Sequence, residues 1–331
     1  MDIIHQSKGK EAFAAQGKAE VLDALEPVVE KLIEEHLKTR HLWLSSDFLP
    51  SDEQIDEEGE RDLSKLRERA RGIKDGVRVA VALNLITEEG LPHFHRIISN
   101  YLGNDNSYGK WNFLWTAEED RHGCILRDYA RDARLFNFRQ LEGMQYAYLN
   151  AGFAPGWDKD PYKLFVYTTL QERATQISHR KTGESVGKEE PLLKNILKNV
   201  AKDESKHFTF YLKVFKAILE IDPNRALQSA AALMPGIDMP GLLMPHFKEM
   251  GDIVRRMGIY SPWDYKKIVE IVTDFWGIDQ LTGLKPEGRQ AQDKIMEIPK
   301  RLQKVAEYIQ QRTAEKSFTF DFLYNRTIVM E

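Results

Sequence analysis

Two short stretches carry residue types that can do chemistry. Glu119 and His122 stand three apart in Trp115-Thr116-Ala117-Glu118-Glu119-Asp120-Arg121-His122-Gly123, and Glu204 and His207 repeat the spacing in Glu204-Ser205-Lys206-His207. In a helix, that spacing puts carboxylate and imidazole on one face. Both pairs fall on apolar stripes: Trp115, Glu119, His122, Leu126 and Tyr129 in the first, and Leu193, Ile196, Val200, Glu204, His207 and Tyr211 in the second. One Glu-x-x-His is weak evidence, since a surface or structural ion pair produces it as readily. Two in phase with a core say more, because burying an ionised carboxylate costs several kcal/mol unless it is paired or binds metal.

Two further helices place a carboxylate on an inner face. The segment 75–102 has a stripe of Val77, Val81, Leu85 and Glu88, and Pro92, which cannot donate to the Glu88 carbonyl, predicts a kink or break there. Glu89 points away from that stripe. A helix opened by Pro161 runs Phe165, Thr168, Glu172, Thr175, Gln176 and His179 along its inner side, and Lys181 to Ser185 reads as the loop after it. Glu88, Glu119, Glu172 and Glu204 with His122 and His207 form a ligand set without thiolate, which suits iron or manganese better than zinc or copper. Two Glu-x-x-His turns plus a Glu from each of two other helices is the ligand arithmetic of ferritin-like carboxylate-bridged di-metal bundles.

Around these residues the chain reads as all-α. Helices are predicted over 18–41 (Leu22, Leu25, Val29, Leu32, Ile33 and His36 inward, Pro27 starting or kinking it), 62–71, 75–102, 111–136, 138–151, from Pro161, and through Glu204 to Asp222-Pro223. An acidic loop runs as far as Glu60. Ser261-Pro262-Trp263-Asp264 is a capped helix start, and Met234, Met239, Met244, Met250 and Met257 read as gap-filling core. Phe318 to Phe322 alternates like a strand, turns at Tyr324-Asn325-Arg326 and returns through Ile328 and Met330 as a C-terminal hairpin. The expectation is one domain over 1–331, with a ligand-bearing bundle at about 62–222 and further helices and the hairpin at 223–331.

Composition narrows the partners. The 331 residues are 42% hydrophobic and 30% charged with net charge −4, which fits a soluble globular chain and speaks against a nucleic-acid partner. No apolar run is long enough to span a membrane; the best, Val77 to Ile86, is interrupted by Arg78 and Asn84. The first residues carry no signal or transit pattern, so the expected location is bacterial cytoplasm, or plastid stroma for a processed form. A single Cys, Cys124, excludes an internal disulfide and thiolate-held clusters, and reads as a buried small residue.

In whole phrases the chain resembles the soluble acyl-acyl carrier protein desaturases, the stearoyl-carrier-protein desaturase family. These are Ile86-Thr87-Glu88-Glu89 before Leu91-Pro92, Thr116 to Gly123, Gln171-Glu172-Arg173-Ala174-Thr175 with Ile177-Ser178-His179, and Asp203-Glu204 before His207. Trp43 with Asp47-Phe48-Leu49-Pro50, Leu281-Thr282-Gly283-Leu284 and the hairpin extend it over roughly 20–331. Asp120 stands where plant members have Asn, and Ser205-Lys206 replaces a Lys-Arg pair; neither removes a ligand.

The resemblance implies a ferritin-like di-iron helix bundle, usually homodimeric. Such an enzyme uses dioxygen and two electrons from ferredoxin or a similar donor to place a cis double bond in an acyl chain carried on acyl carrier protein, in fatty acid biosynthesis. It implies two Fe per subunit, bridged by Glu119 and Glu204, with Glu88 and His122, and Glu172 and His207, as terminal ligands. Thr175 would assist proton delivery, and Asp203 and Trp43 would link His122 to the surface as an electron route. Ile97, Tyr101 and Leu164 are positional candidates for an apolar substrate channel. Arg67, Arg69, Arg71 and Lys74, or Lys300, Arg301 and Lys304, are candidates for meeting an acidic carrier. The alternatives are a di-iron acyl hydroxylase or oxidase with the same ligands, and a ferritin-like iron-binding protein.

Overall fold

The computed structural model describes residues 17–49, 57–156, 160–237, 239–312 and 314–331. The leader reading of the N-terminus, Pro50 and the first part of the acidic loop lie outside the described residues. Chain order is α1 (Lys18–Thr39), α2 (Glu57–Arg71), α3 (Asp75–Glu88), α4 (Leu91–Leu102), α5 (Ser107–Asp132), α6 (Phe138–Ala151), α7 (Pro161–Ser185) and α8 (Pro191–Ile221). Then follow α9 (Pro223–Leu233), α10 (Phe247–Arg256), α11 (Pro262–Trp276), α12 (Pro286–Gln311), β1 (Lys316–Phe320) and β2 (Arg326–Met330). No described helix is long and apolar enough to cross a membrane.

Four helices close a ring, α3 on α5, α5 on α8, α8 on α7 and α7 on α3, and α1 lies outside it against α5 and α8. Two apolar clusters fill the ring. One takes Trp111 and Trp115 of α5, Leu164 to Ile177 of α7 and Phe208 to Leu219 of α8. The other takes Ile125, Leu126 and Tyr129 of α5 and Leu193 to Val200 of α8. Residues 118–122 and 203–207 fall between them, so the polar residues form one layer with hydrocarbon above and below.

Several local expectations are met for the reasons that generated them. Ser261 and Asp264 close a capping box at the start of α11, its backbone N–H 3.0 Å from the Asp264 carboxylate. The hairpin pairs Phe318 with Ile328 and turns through Tyr324 and Asn325, both at positive φ. It seats Phe318, Phe320 and Phe322 in the core, where Asn137 donates to the Phe322 carbonyl at 2.8 Å.

Others are corrected. The acidic stretch is helical from Glu57 rather than loop to Glu60. Pro27 sits inside α1, as an internal residue rather than a start. Residues 181–185 continue α7 instead of forming a loop: Gly183 lies against α8, where a Cβ would come 3.2 Å from that of Leu197. Cys124 is exposed, because it lies on the outward face of α5 beside Asp120. Met234, Met244 and Met250 are buried core, but Met239 lines cavities near the polar layer.

The expected break beside Glu88 falls at Glu89-Gly90, with Pro92 at the second position of α4. Gly90 is needed there because the Tyr148 ring closes over the break; a Cβ would lie 2.8 Å from Tyr148 Cε1. Gly90→Ala is therefore expected to lose about 1–3 kcal/mol of stability by overpacking. Denaturant unfolding checks this, and an unchanged midpoint would contradict the packing argument.

Candidate metal centre

Each side of the ring contributes one buried carboxylate to the polar layer: Glu88 from α3, Glu119 from α5, Glu172 from α7 and Glu204 from α8, the last two only 1% and 2% exposed. His122 and His207 are fully buried among them. Ligand-type atoms of Glu88, Glu119, His122 and Glu204 lie within 4.8 Å of one another, and so do those of Glu119, Glu172, Glu204 and His207. Glu119 and Glu204 belong to both groups.

Each imidazole uses its two nitrogens differently. His122 Nδ1 faces the cluster, 3.2 Å from Glu204 and 3.5 Å from Glu119. His207 Nδ1 faces it too, 2.7 Å from Glu119. Neither nitrogen, nor Glu119 Oε1, achieves hydrogen-bond alignment with a neighbour. Buried polar atoms that approach without bonding are costly, and here they are oxygens and nitrogens converging on shared points. That donor set fits metal ions, and it contains no sulfur.

The Nε2 atoms turn outward to carboxylates. His122 Nε2 lies 3.4 Å from Asp203, and Asp203 accepts from Trp43 Nε1 at 2.8 Å and from Arg121 at 3.4 Å. Trp43 is buried and lies parallel to the His122 ring at 6.0 Å. Asp203, Trp43 and His122, separated widely in sequence, are thus brought together. Thr175 donates to Glu204 at 2.6 Å, and Trp115 Nε1 donates to Glu172 at 3.0 Å.

Sequence reasoning missed three participants. Glu118, 2% exposed, accepts from His207 Nε2 at 2.9 Å, from His36 Nε2 at 2.9 Å and from Arg40 at 3.0 Å. The signal was present: Glu118-Glu119-x-x-His122 repeats as Asp203-Glu204-x-x-His207, so an acid precedes the Glu of each Glu-x-x-His motif. His36 was placed on the α1 stripe as core only. His179, likewise read only as part of a stripe, bonds Glu88 through Nε2 at 2.5 Å. Glu89 is half-buried and engages Arg127.

Ile97 and Leu164 are buried in the first apolar cluster, and Tyr101 packs against it; among the described residues, the two cavities that reach this layer are lined by others. A small recess lined by Thr87, Glu88, Leu91, Phe94, Trp115, Glu119, Tyr148, Gln171, Thr175, Glu204 and Met239 opens on the carboxylates instead. Thr87, Thr175 and Met239 also line an apolar cavity of about 480 Å³, walled by Leu83, Ala174, Ile237, Phe247, Val254, Tyr260, Tyr265, Leu302 and Val305.

Charge balance sets the protonation of the metal-free layer. Burial opposes charging His122, but Glu119, Asp203 and Glu204 overcome it, and Glu118, Glu119 and Glu172 do the same for His207; both imidazoles hold protons well above the ordinary histidine range. Burial and the Glu204 charge push the Glu172 carboxyl well up. Glu118 and Asp203, despite burial, are held low by their histidine partners. A divalent metal must displace the imidazole protons to bind. Titration with Fe(II) in weak buffer is expected to release protons, and affinity to rise with pH through the neutral range, for as long as the imidazoles of the folded, metal-free chain still hold their protons. A pH-independent affinity would contradict this balance.

Comparison with known proteins agrees with the geometry. A family model described as fatty acid desaturase matches residues 17–324. The chain is 33% identical over 334 residues to the chloroplastic stearoyl-[acyl-carrier-protein] 9-desaturase of Ricinus communis, covering 94% of this chain and 82% of that protein. With the corresponding protein of Olea europaea it shares 34% identity over 305 residues, covering 86% and 77%. The X-ray structure of DesA2 from Mycobacterium tuberculosis superposes with a TM-score of 0.56 at 20% identity, over 82% of this chain and 99% of that one, a likeness of fold. On the match to nearly the whole chain and the identity to full-length relatives, this chain belongs to the fatty acid desaturase family.

Proposed function

We propose that the chain is an acyl-carrier-protein desaturase whose polar layer holds two irons. The observation that carries this reading is that two four-residue ligand groups share Glu119 and Glu204. In it, Glu119 and Glu204 would be common to both metals, with Glu88 and His122 helping to hold one and Glu172 and His207 the other. When bound, the irons would supply redox chemistry: with dioxygen, two electrons from a ferredoxin-like donor and two protons, two hydrogens leave adjacent acyl carbons and dioxygen ends as two waters.

The protein's part is binding, water exclusion and proton placement. Four carboxylates match the charge of two ferrous ions, so the loaded layer is close to neutral and can sit between apolar clusters. Thr175 Oγ1 donates to Glu204 and lines both cavities, so it holds a proton at the boundary between substrate space and carboxylates. The apolar cavity would take the acyl chain, with its methylenes reaching the carboxylates past Thr87, Thr175 and Met239. Apolar walls keep water from the reaction. Trp43 and Asp203 lead from His122 toward the surface as the electron route.

Leu302 and Val305 of α12 border the apolar cavity, and Lys300, Arg301 and Lys304 are exposed on the same helix. In the other basic set, Arg67 bonds the Asp132 carbonyl and Arg69 bonds buried Glu190. The α12 set is therefore the better docking surface for an acidic carrier.

Iron-loaded protein given reduced ferredoxin, dioxygen and stearoyl-carrier protein is expected to yield a product lighter by two hydrogens, read by mass spectrometry. Added oxygen would move the reading to a hydroxylase, and an unchanged chain with dioxygen consumed would remove this substrate. Glu204→Ala is expected to lose at least one of the two irons; two-iron loading in that variant would overturn the ligand assignment.

A further inference from the structure

The two ligand motifs are held from outside by one short segment, residues 36–43. In the first motif Arg121 donates to the Trp43 carbonyl at 2.8 Å, and in the second Lys206 donates to the Thr39 carbonyl at 2.7 Å. The acid that opens each motif faces the imidazole of the other: Asp203 meets His122, and Glu118 meets His207. Each acid is then fixed by the segment, Asp203 by the Trp43 indole and Glu118 by His36 and Arg40. The halves correspond in position and differ in chemistry, since an indole N–H holds one carboxylate and an imidazole and a guanidinium hold the other.

We infer that Glu118, fixed by His36 and Arg40, is a positioning residue that orients His207 toward its metal, the counterpart of Asp203 at His122. This rests on the reading of His122 and His207 as ligands. The physical reason is directional: a histidine that binds metal through Nδ1 needs an acceptor at Nε2–H to fix its tautomer and ring plane, and a carboxylate there raises its basicity. Glu118 supplies that acceptor at 2.9 Å, better placed than Asp203 at 3.4 Å. His36, Glu118 and His207 also lie close enough to form a three-residue ligand group. The Arg40 guanidinium at 3.0 Å already supplies positive charge to Glu118, and His207 Nε2 is committed to it, so the trio braces rather than binds. A helix outside the four-helix ring thereby becomes part of the site.

The test is anaerobic Fe(II) titration of the full chain, followed by metal count and by Mössbauer and near-infrared ligand-field spectra, which report each iron's environment. Wild-type protein is expected to bind two irons. Glu118→Ala is expected to weaken one of them about 10–100-fold, the usual cost of losing a ligand's outer partner, and to change the spectrum of that iron alone. Glu118→Gln, which keeps an acceptor and the side-chain shape, is expected to recover part of the affinity; it also decides the matter if the alanine variant does not fold. Two irons of wild-type affinity and spectrum in both variants would overturn the inference, as would a third metal in wild-type protein that either variant abolishes. Failure of wild-type protein to bind two irons would instead sink the ligand reading on which it rests.

Discussion

Four carboxylates from four different helices meet in one buried layer, and the rest of the structure answers to their charge. Hydrocarbon above and below denies them water, so every ionised oxygen must find a proton, a cation or a hydrogen-bond donor within the protein. Two imidazoles stand among them, Thr175 and the Trp115 indole cap Glu204 and Glu172, and His179 holds Glu88. Such a layer is poorly satisfied by protein groups alone, as the unbonded Nδ1 atoms and Glu119 Oε1 record. A metal ion would resolve it, because one divalent ion neutralises two carboxylates at once.

The surrounding geometry follows from keeping that layer dry yet reachable. The α3–α4 break beside Glu88 opens a recess to the carboxylates, and Gly90 lets Tyr148 close its outer wall. Thr175, with Thr87 and Met239, lies where recess and apolar cavity meet, so its hydroxyl stands between the apolar space and the Glu204 carboxylate to which it donates. Helices α10, α11 and α12, with Pro235, Gly236, Ile237 and Met239 before them, supply much of the cavity wall.

The imidazoles show how order is imposed on flexible ligands. A buried histidine with both nitrogens unassigned could flip or tilt, and a carboxylate on Nε2 removes that freedom. Here the carboxylates are themselves pinned by Trp43, Arg121, His36 and Arg40, all but Arg121 from α1 and the segment after it. Removal of one partner from such a buried network leaves the other charged and unsatisfied, which is why its members behave as a unit.

Much of the candidate site was legible in sequence because helical periodicity is local. Stripe arithmetic placed Glu88, Glu119, His122, Glu172, Glu204 and His207 on inner faces, and the Ser261 cap and the hairpin followed from equally local signals. What periodicity cannot carry is which inner faces meet. It left His36 and His179 as core residues and passed over Glu118, since their meaning depends on partners 82, 91 and 89 residues away. It read 181–185 as a loop because a glycine that admits a neighbouring helix, as Gly183 does, looks, in one dimension, like a glycine that ends its own. Position along the chain could not say which residues wall a cavity for the same reason: a cavity is the space several distant elements fail to fill. The sequence by itself determined the helices, their buried faces and the ligand chemistry; the tertiary structure decided the pairing of each imidazole with its carboxylate and the position of the cavity, because both depend on distances between helices that no local pattern encodes.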